Sequence, residues 1–319
     1  MIMSVHGIHH VTAIASDPQA NVDFYAGVLG LHLVKVTVNY DDPHTYHLYY
    51  GDPQGRPGTI LTFFPWPGAP RGRSGTGQVT VTAFAIAEGS LGFWVDRLRA
   101  HKVEHTEPHQ RFDEDVLAFR DPDGLHVELV TGPSGSGEPF QPDGTIPGQH
   151  VIQRFRGVTV SLEGYERTAG LLTGILGLRN VGARSNRFRY AVGTGDTEGF
   201  VDLLCLPSGP RGRVAVGTVH HIAWRTPDGD AQQAWRAELA RRGYDVTPIV
   251  DRTYFQSNYF RDPGGVLFEI ATDRPGFAVD EPADQLSGRV TLPPWLEGKR
   301  ADLAAALPGL RGPAGRRFP

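Results

Sequence analysis

The chain has 319 residues, with 31 Lys+Arg against 35 Asp+Glu and a formal net charge of −4. So small a charge argues against a broad nucleic-acid surface, and no apolar run approaches the roughly 20 residues that cross a bilayer. The 39% hydrophobic content supplies large cores, the length predicts two domains, and the single cysteine, Cys205, rules out an internal disulfide. No basic segment precedes an apolar stretch in MIMSVHGIHHVTAIAS, so no signal peptide is expected and the cytoplasm is the predicted compartment.

In chain order, four similar blocks succeed one another, roughly at 6–65, 76–132, 153–206 and 215–272. Each reads as a β-run, a helix and two or three further β-runs. In the first, VTAIAS is a strand. Asp17-Pro18 supplies an N-cap with Pro at the first helical position, Val22, Phe24, Tyr25, Val28 and Leu29 form an apolar face, and Gly30 ends the helix. YHLYYGD and GTILTFFPW follow as strands. The second block has VTVTAFAIA, a helix near 90–100 and strands around 116–119 and 125–130. The fourth has HHIAWRT, a helix near 229–242 ending at Gly243, and strands near 257–260 and 266–271.

Two stretches tie the blocks into halves. FYAGVLGLHLV at 24–34 recurs as LLTGILGLRNV at 171–181, and DPDGLHVELV at 121–130 as DPGGVLFEIA at 262–271. The spacing is about 145 residues in both cases, as a duplicated half requires. Paired Pro-Arg-Gly-Arg turns, with Arg71 and Arg73 in one and Arg211 and Arg213 in the other, support the duplication. The expected division is 1–132 and 153–272, two modules each. A Gly/Pro-rich linker at 133–152 separates them, and an extension at 273–319 carries a short helix after Pro293-Pro294 and ends in a frayed tail.

The residues that can carry chemistry are two His-His pairs, each opening a strand: His9-His10 and His220-His221. Neighbouring strand side chains point to opposite faces, so one His of each pair faces inward. Glu269 sits in the apolar run Val266-Leu267-Phe268-Glu269-Ile270, where a carboxylate needs a partner or a metal. Two imidazoles and one carboxylate form a facial triad, which leaves open positions on Fe(II). Glu128, at the equivalent place in the second block, is expected to find a structural partner such as Arg. Cys205 reads as a buried strand residue, and His101, His105 and His109 as solvated.

The repeated blocks and FYAGVLGL resemble the vicinal oxygen chelate superfamily, which includes glyoxalases, bleomycin-resistance proteins and extradiol dioxygenases. Tyr259-Phe260-Arg261-Asp262-Pro263-Gly264-Gly265-Val266-Leu267-Phe268-Glu269 is similar to the extradiol signature, and VNYDDPHTYHLYYGD resembles ring-cleaving dioxygenases of the hydroquinone type. The resemblance spans about 6–272. It implies an α+β fold of four βαβββ modules in two open, curled mixed sheets. It also implies a metal held by His10, His221 and Glu269, with His9 and His220 as the alternatives. Fe(II) is the implied metal and Mn(II) the alternative. The implied substrates are a small aromatic and O2, with no nucleic-acid or membrane partner; a homo-oligomer is left open.

By the same resemblance His47 moves the proton and Tyr259 orients an oxygen. Phe64, Trp224, Phe255 and Phe260 are candidate lining residues. The signature's upstream His is absent, and Arg252 or Tyr254 is expected to take part of its role. The third module carries Phe155-Arg156-Gly157-Val158 where the first carries its His pair, so module one is expected to close on module four. Two rival readings remain. One is a glyoxalase-like isomerase or lyase, which needs a fourth ligand, a carboxylate where Thr62 stands; the other is a non-catalytic protein that sequesters an aromatic compound.

Overall fold

The computed structural model describes residues 3–132, 146–195, 198–315 and 318, so most of the expected linker, 133–145, lies outside the described residues. The first module runs β1 (Ile8–Ala15), α1 (Pro18–Val22), β2 (His32–Val38), β3 (Tyr46–Gly51) and β4 (Ile60–Pro65). The second comprises β5 (Gln78–Ile86), α2 (Leu91–Ala100), β6 (His109–Arg111), β7 (Glu114–Arg120) and β8 (His126–Thr131). The third comprises β9 (Arg154–Leu162), α3 (Glu166–Gly174), β10 (Arg179–Arg184), β11 (Arg187–Val192) and β12 (Gly199–Cys205). The fourth comprises β13 (Val219–Thr226), α4 (Gly229–Arg241), β14 (Val250–Asp251), β15 (Phe255–Arg261) and β16 (Leu267–Pro275).

Local chemistry explains the elements. The Asp17 carboxylate accepts the Ala20 N–H at 2.7 Å, and Pro18 opens α1. From Asp23 to Val28 the helix widens to i→i+5 bonding, then stops at Gly30, whose φ of +67° suits glycine. This widened turn buries Phe24 and Tyr25, and the Tyr25 hydroxyl donates to Asp121 of the second module at 2.9 Å. In β16, Phe268 and Ile270 are buried in the apolar core and Glu269, one residue out of phase, turns to the other face.

The strands form two eight-stranded mixed sheets. One is ordered β14-β15-β16-β13-β1-β4-β3-β2, the other β10-β11-β12-β9-β5-β8-β7-β6. Module one is therefore joined to module four, and module two to module three, through antiparallel β1–β13 and β5–β9 seams. The connecting Pro-Arg-Gly-Arg turns interlock: Arg73 and Arg213 exchange backbone hydrogen bonds at 2.9 and 2.8 Å, and the Arg71 side chain donates to Asp123 O at 2.7 Å.

The extension covers β2, which would otherwise be an open sheet edge. Thr291 N–H donates to Val36 O at 2.9 Å, and the Thr37 hydroxyl donates to Thr291 O at 2.7 Å. Beneath it Lys35, fully buried, donates to Asp280 at 2.6 Å and to Glu281 at 2.5 Å. The expected short helix is α5 (Arg300–Ala306). Of the tail expected to fray, the described stretch to residue 315 packs instead, with Leu310 buried and Arg311 N–H donating to Gln19 of α1 at 2.8 Å. Cys205 is half-buried at the end of β12 rather than enclosed, since its strand ends there.

Lys35→Ala removes a buried cation and strands two carboxylates. It is expected to cost about 3–5 kcal/mol in urea unfolding and to speed proteolytic cleavage between residues 275 and 295; an unchanged midpoint would contradict this role for the ion pair.

Candidate metal centre

The β1–β13 seam contains two bulges. Ile8 pairs with Trp224 and His10 with Ala223, which leaves His9 extra in β1; Thr12 pairs with His221 and Ala13 with Val219, which leaves His220 extra in β13. A bulge breaks the strict alternation of faces and re-aims a side chain. The simple inward-outward expectation therefore fails: His9 and His10 are both buried and lie in contact through their rings.

His10, His221 and Glu269 converge, each offering a ligand atom, with all three atoms within 4.8 Å of one another. His10 Nε2 and His221 Nε2 are 3.2 Å apart, and Glu269 Oε2 lies 3.4 Å from the first and 2.9 Å from the second. All three residues are buried. Ser257 donates its hydroxyl to Glu269 Oε1, whereas Oε2 has no hydrogen-bond partner. Burial opposes ionisation of Glu269, but His10 and His221 outweigh it and hold the carboxyl well below the usual carboxylate range. Burial likewise lowers His221. An enclosed carboxylate oxygen that meets only two imidazole nitrogens fits a divalent metal ion.

His9 lies behind the triad, and His220 beside it on the cavity wall. His9 Nδ1 is 2.9 Å from His10 Nδ1, and its Nε2 is 3.1 Å from Thr272 O. His220 Nδ1 is 2.8 Å from His221 Nδ1. Burial, reinforced by the neighbouring imidazole, lowers both rings, His220 to about 3.

The triad opens into a cavity of about 410 Å³, within the range of small-molecule sites. Phe64, Trp66 and Phe255 supply apolar walls, and His47, Tyr259 and Arg252 supply polar groups. Two of the aromatics considered from sequence lie elsewhere: Trp224 and Phe260 pack on Phe268 in the core, because their strand positions face the helices. Of the two candidates for the missing signature His, Arg252 lines the cavity. Tyr254 is buried outside it, bonded to Asp280 at 2.9 Å and Thr291 at 3.0 Å.

His47 is half-buried on β3, with Nε2 2.9 Å from Thr62 Oγ1 and Nδ1 2.8 Å from the Tyr49 hydroxyl. Thr62 Oγ1 is in turn 2.9 Å from Thr12 Oγ1, which lines the cavity. Burial, then His10 and His221, push His47 well below the ordinary imidazole value. Tyr259 has its ring 5.7 Å from His221, and burial with Glu269 nearby raises its phenol. Arg252 lies over Tyr259, 5.9 Å from the ring centroid, and reaches across the cavity mouth to Asp41 at 3.0 and 3.2 Å.

The site is a broken two-fold. Tyr49 pairs with Thr62 as Tyr259 pairs with Glu269, so Thr62 occupies the position equivalent to Glu269 and His47 that of Ser257. Sequence reading missed Ser257; its two-residue spacing ahead of Tyr259, matching His47 ahead of Tyr49, is the signal that would have found it. The Asp41–Arg252 pair left no such trace, since it joins loops 211 positions apart.

The other seam keeps the bulges without the histidines. Its extra residues are Thr80 and Arg156, and Gly157 stands where His10 would be, with any Cβ 2.1 Å from Phe200 O. Glu128 takes a bidentate bond from Arg111, as expected, while Arg156 and Arg189 bind Glu114 and Arg189 binds Asp202. Only about 10 Å³ stays open there, less than one water needs.

Comparison with known proteins places this geometry. The model of the "Glyoxalase/Bleomycin resistance protein/Dioxygenase superfamily" matches residues 7–129 and 158–270. The Bacillus subtilis (strain 168) protein named "Putative ring-cleaving dioxygenase MhqO" is 46% identical over 307 residues, 96% of this chain and 97% of that protein. The "Chlorohydroquinone/hydroquinone 1,2-dioxygenase" of Sphingobium indicum is 34% identical over 310 residues, 95% of this chain and 96% of that protein. A crystal structure of a "putative dioxygenase" from Bacillus subtilis superposes with a TM-score of 0.93 at 45% identity, covering 97% of this chain and 98% of that one.

Thr62→Val keeps the side-chain shape but leaves His47 Nε2 and the Thr12 hydroxyl without their bond. A loss of about 1–2 kcal/mol in chemical unfolding is expected, and no measurable loss would show that water replaces the threonine.

Proposed function

The chain belongs to the glyoxalase/bleomycin resistance protein/dioxygenase superfamily, and from that premise we propose that it is a metal-dependent ring-cleaving dioxygenase acting with O2 on a catechol- or hydroquinone-type aromatic. The observation that carries this reading is the convergence of His10 Nε2, His221 Nε2 and the unpartnered Glu269 Oε2 at the floor of an aromatic-walled cavity. The names of the full-length relatives support the reaction class. In our reading these three residues hold Fe(II), with Mn(II) as the alternative. When bound, such an ion supplies Lewis acidity and a route for electrons between an aromatic diol and O2.

The chain's own groups do the rest. Phe64, Trp66 and Phe255 enclose a single ring and exclude water. His47, kept neutral by burial, accepts the phenol proton at a ring nitrogen and returns it, with Thr62 and Thr12 bridging the ring to the cavity. Tyr259, kept protonated by burial, donates its O–H to a substrate oxygen beside His221. Arg252 and Asp41 brace the mouth. One chain supplies every one of these residues, so the site needs no second copy. Among the described residues no helix is long and apolar enough to cross a membrane. We assign the protein to the cytoplasm, whose reducing environment suits its one unbridged cysteine.

The glyoxalase-like reading lacks its fourth ligand, a second carboxylate, because Thr62 fills that position and is engaged by His47. Oxygen uptake by the Fe(II)-loaded protein with a panel of catechols and hydroquinones separates the alternatives. Stoichiometric uptake with ring-opened product is expected; turnover without O2, or binding without turnover, would overturn the dioxygenase reading. His10→Ala and Glu269→Ala are expected to lose metal, and full metal content in either would refute the ligand set. His47→Ala is expected to keep its metal and lose about 10²–10⁴-fold in kcat, measured as product formation.

A further inference from the structure

The two bulge residues give each metal-facing histidine a partner of its own kind. Thr272 O can only accept, so the 3.1 Å contact fixes the proton of His9 on Nε2. A buried cationic imidazole facing no carboxylate is costly, so the ring is neutral and its Nδ1 bare. The 2.9 Å contact between His9 Nδ1 and His10 Nδ1 then requires the proton to sit on His10. With the proton of the neutral ring on Nδ1, the nitrogen that His10 turns toward Glu269 and His221, Nε2, is the one free to bind a cation. The same Nδ1–Nδ1 contact recurs at 2.8 Å between His220 and His221 on the other side of the pseudo-two-fold. Both outer histidines are the extra residues of their strands, which is what brings neighbouring rings edge to edge at centroid distances of 5.1 Å.

We infer that His9 and His220 are positioning residues: each accepts the Nδ1–H of the adjacent metal-facing histidine and thereby locks the tautomer whose Nε2 lone pair points into the triad. The inference rests on the reading that His10, His221 and Glu269 hold a divalent cation. Such outer partners fix ring orientation and tautomer, and their loss commonly weakens metal binding about 10–100-fold. In the second sheet, where the triad is absent, the bulge positions hold Thr80 and Arg156, which bind Ser161 at 2.8 Å and Glu114. The bulge is thus common to both seams, and the imidazole acceptor belongs to the one that carries the triad.

The test is Mn(II) titration of the purified full chain, read by the EPR signal of free Mn(II), for wild type, His9→Leu, His220→Leu, His9→Asn and His220→Asn. The leucine variants are expected to bind about 10–100-fold more weakly. The asparagine variants, which keep an acceptor oxygen at the δ position, should recover most of that loss. Long-range ¹H–¹⁵N spectra of the wild type loaded with diamagnetic Zn(II) should show His10 and His221 protonated at Nδ1, with Nε2 the metal-bound nitrogen. His220 is only half-buried, so its variants test the idea even if His9→Leu fails to fold. Leucine variants that fold and bind Mn(II) as wild type does would overturn the inference while leaving the ligand set intact. So would rings that lack an Nδ1 proton in the Zn(II)-loaded protein. Absence of Mn(II) and Fe(II) binding by wild type would instead remove the ligand reading, and this inference with it.

Discussion

An ionised carboxylate enclosed between two imidazoles sets the terms for this fold. Glu269 lies on a strand whose neighbours Phe268 and Ile270 are core residues, and its Oε2 has no hydrogen-bond donor. Such a group is tolerated in a folded chain only if opposing charge or a cation meets it. The imidazoles that meet it come from β1 and β13, which are far apart in the sequence but lie side by side, with β16 parallel to β13 and β4 parallel to β1. The first sheet meets that requirement at a seam whose architecture the second sheet shares.

The duplicated architecture supplies two seams and uses only one. Both carry paired bulges, so the backbone is prepared to aim ligands in each. In the β5–β9 seam the aim is lost at the first atom: Gly157 has no side chain, and the Phe200 carbonyl occupies the space one would need. Arginine–carboxylate pairs fill the remaining volume. Within the β1–β13 seam the symmetry is broken a second time. Thr62 stands at the register position that Glu269 holds in module four, and its hydroxyl is met by His47 Nε2 at 2.9 Å.

The extension acts on the first sheet at a distance from the triad. It seals β2 with backbone pairing at Val36 and Thr291, and Lys35 anchors it to Asp280 and Glu281 from inside the sheet. The covered strand leads into the segment that carries Asn39, Tyr40 and Asp41 at the cavity wall. Edge protection and the shape of the mouth are therefore parts of one packing arrangement, with Tyr40 stacked edge-on against Trp295 of the extension.

Much of this was legible in one dimension. Period-2 and period-3.6 patterning located the strands and helices, the N-cap at Asp17 and the stops at Gly30 and Gly243 bounded them, and the recurring LGL and Asp-Pro stretches revealed the duplication. A carboxylate in an apolar strand and the paired histidines marked the chemistry, because charge and imidazole in such positions conflict with burial unless they have a use. Sequence spacing could not decide which histidine of each pair faces the triad, since strand alternation assumes regular pairing and both pairs sit on bulges that only cross-strand register creates. Nor could it place Trp224, Phe260 and Tyr254 outside the cavity, join Asp41 to Arg252, or dock the tail on α1. Each of these depends on which face of one element meets another, and that is fixed by long-range packing between segments far apart in the chain.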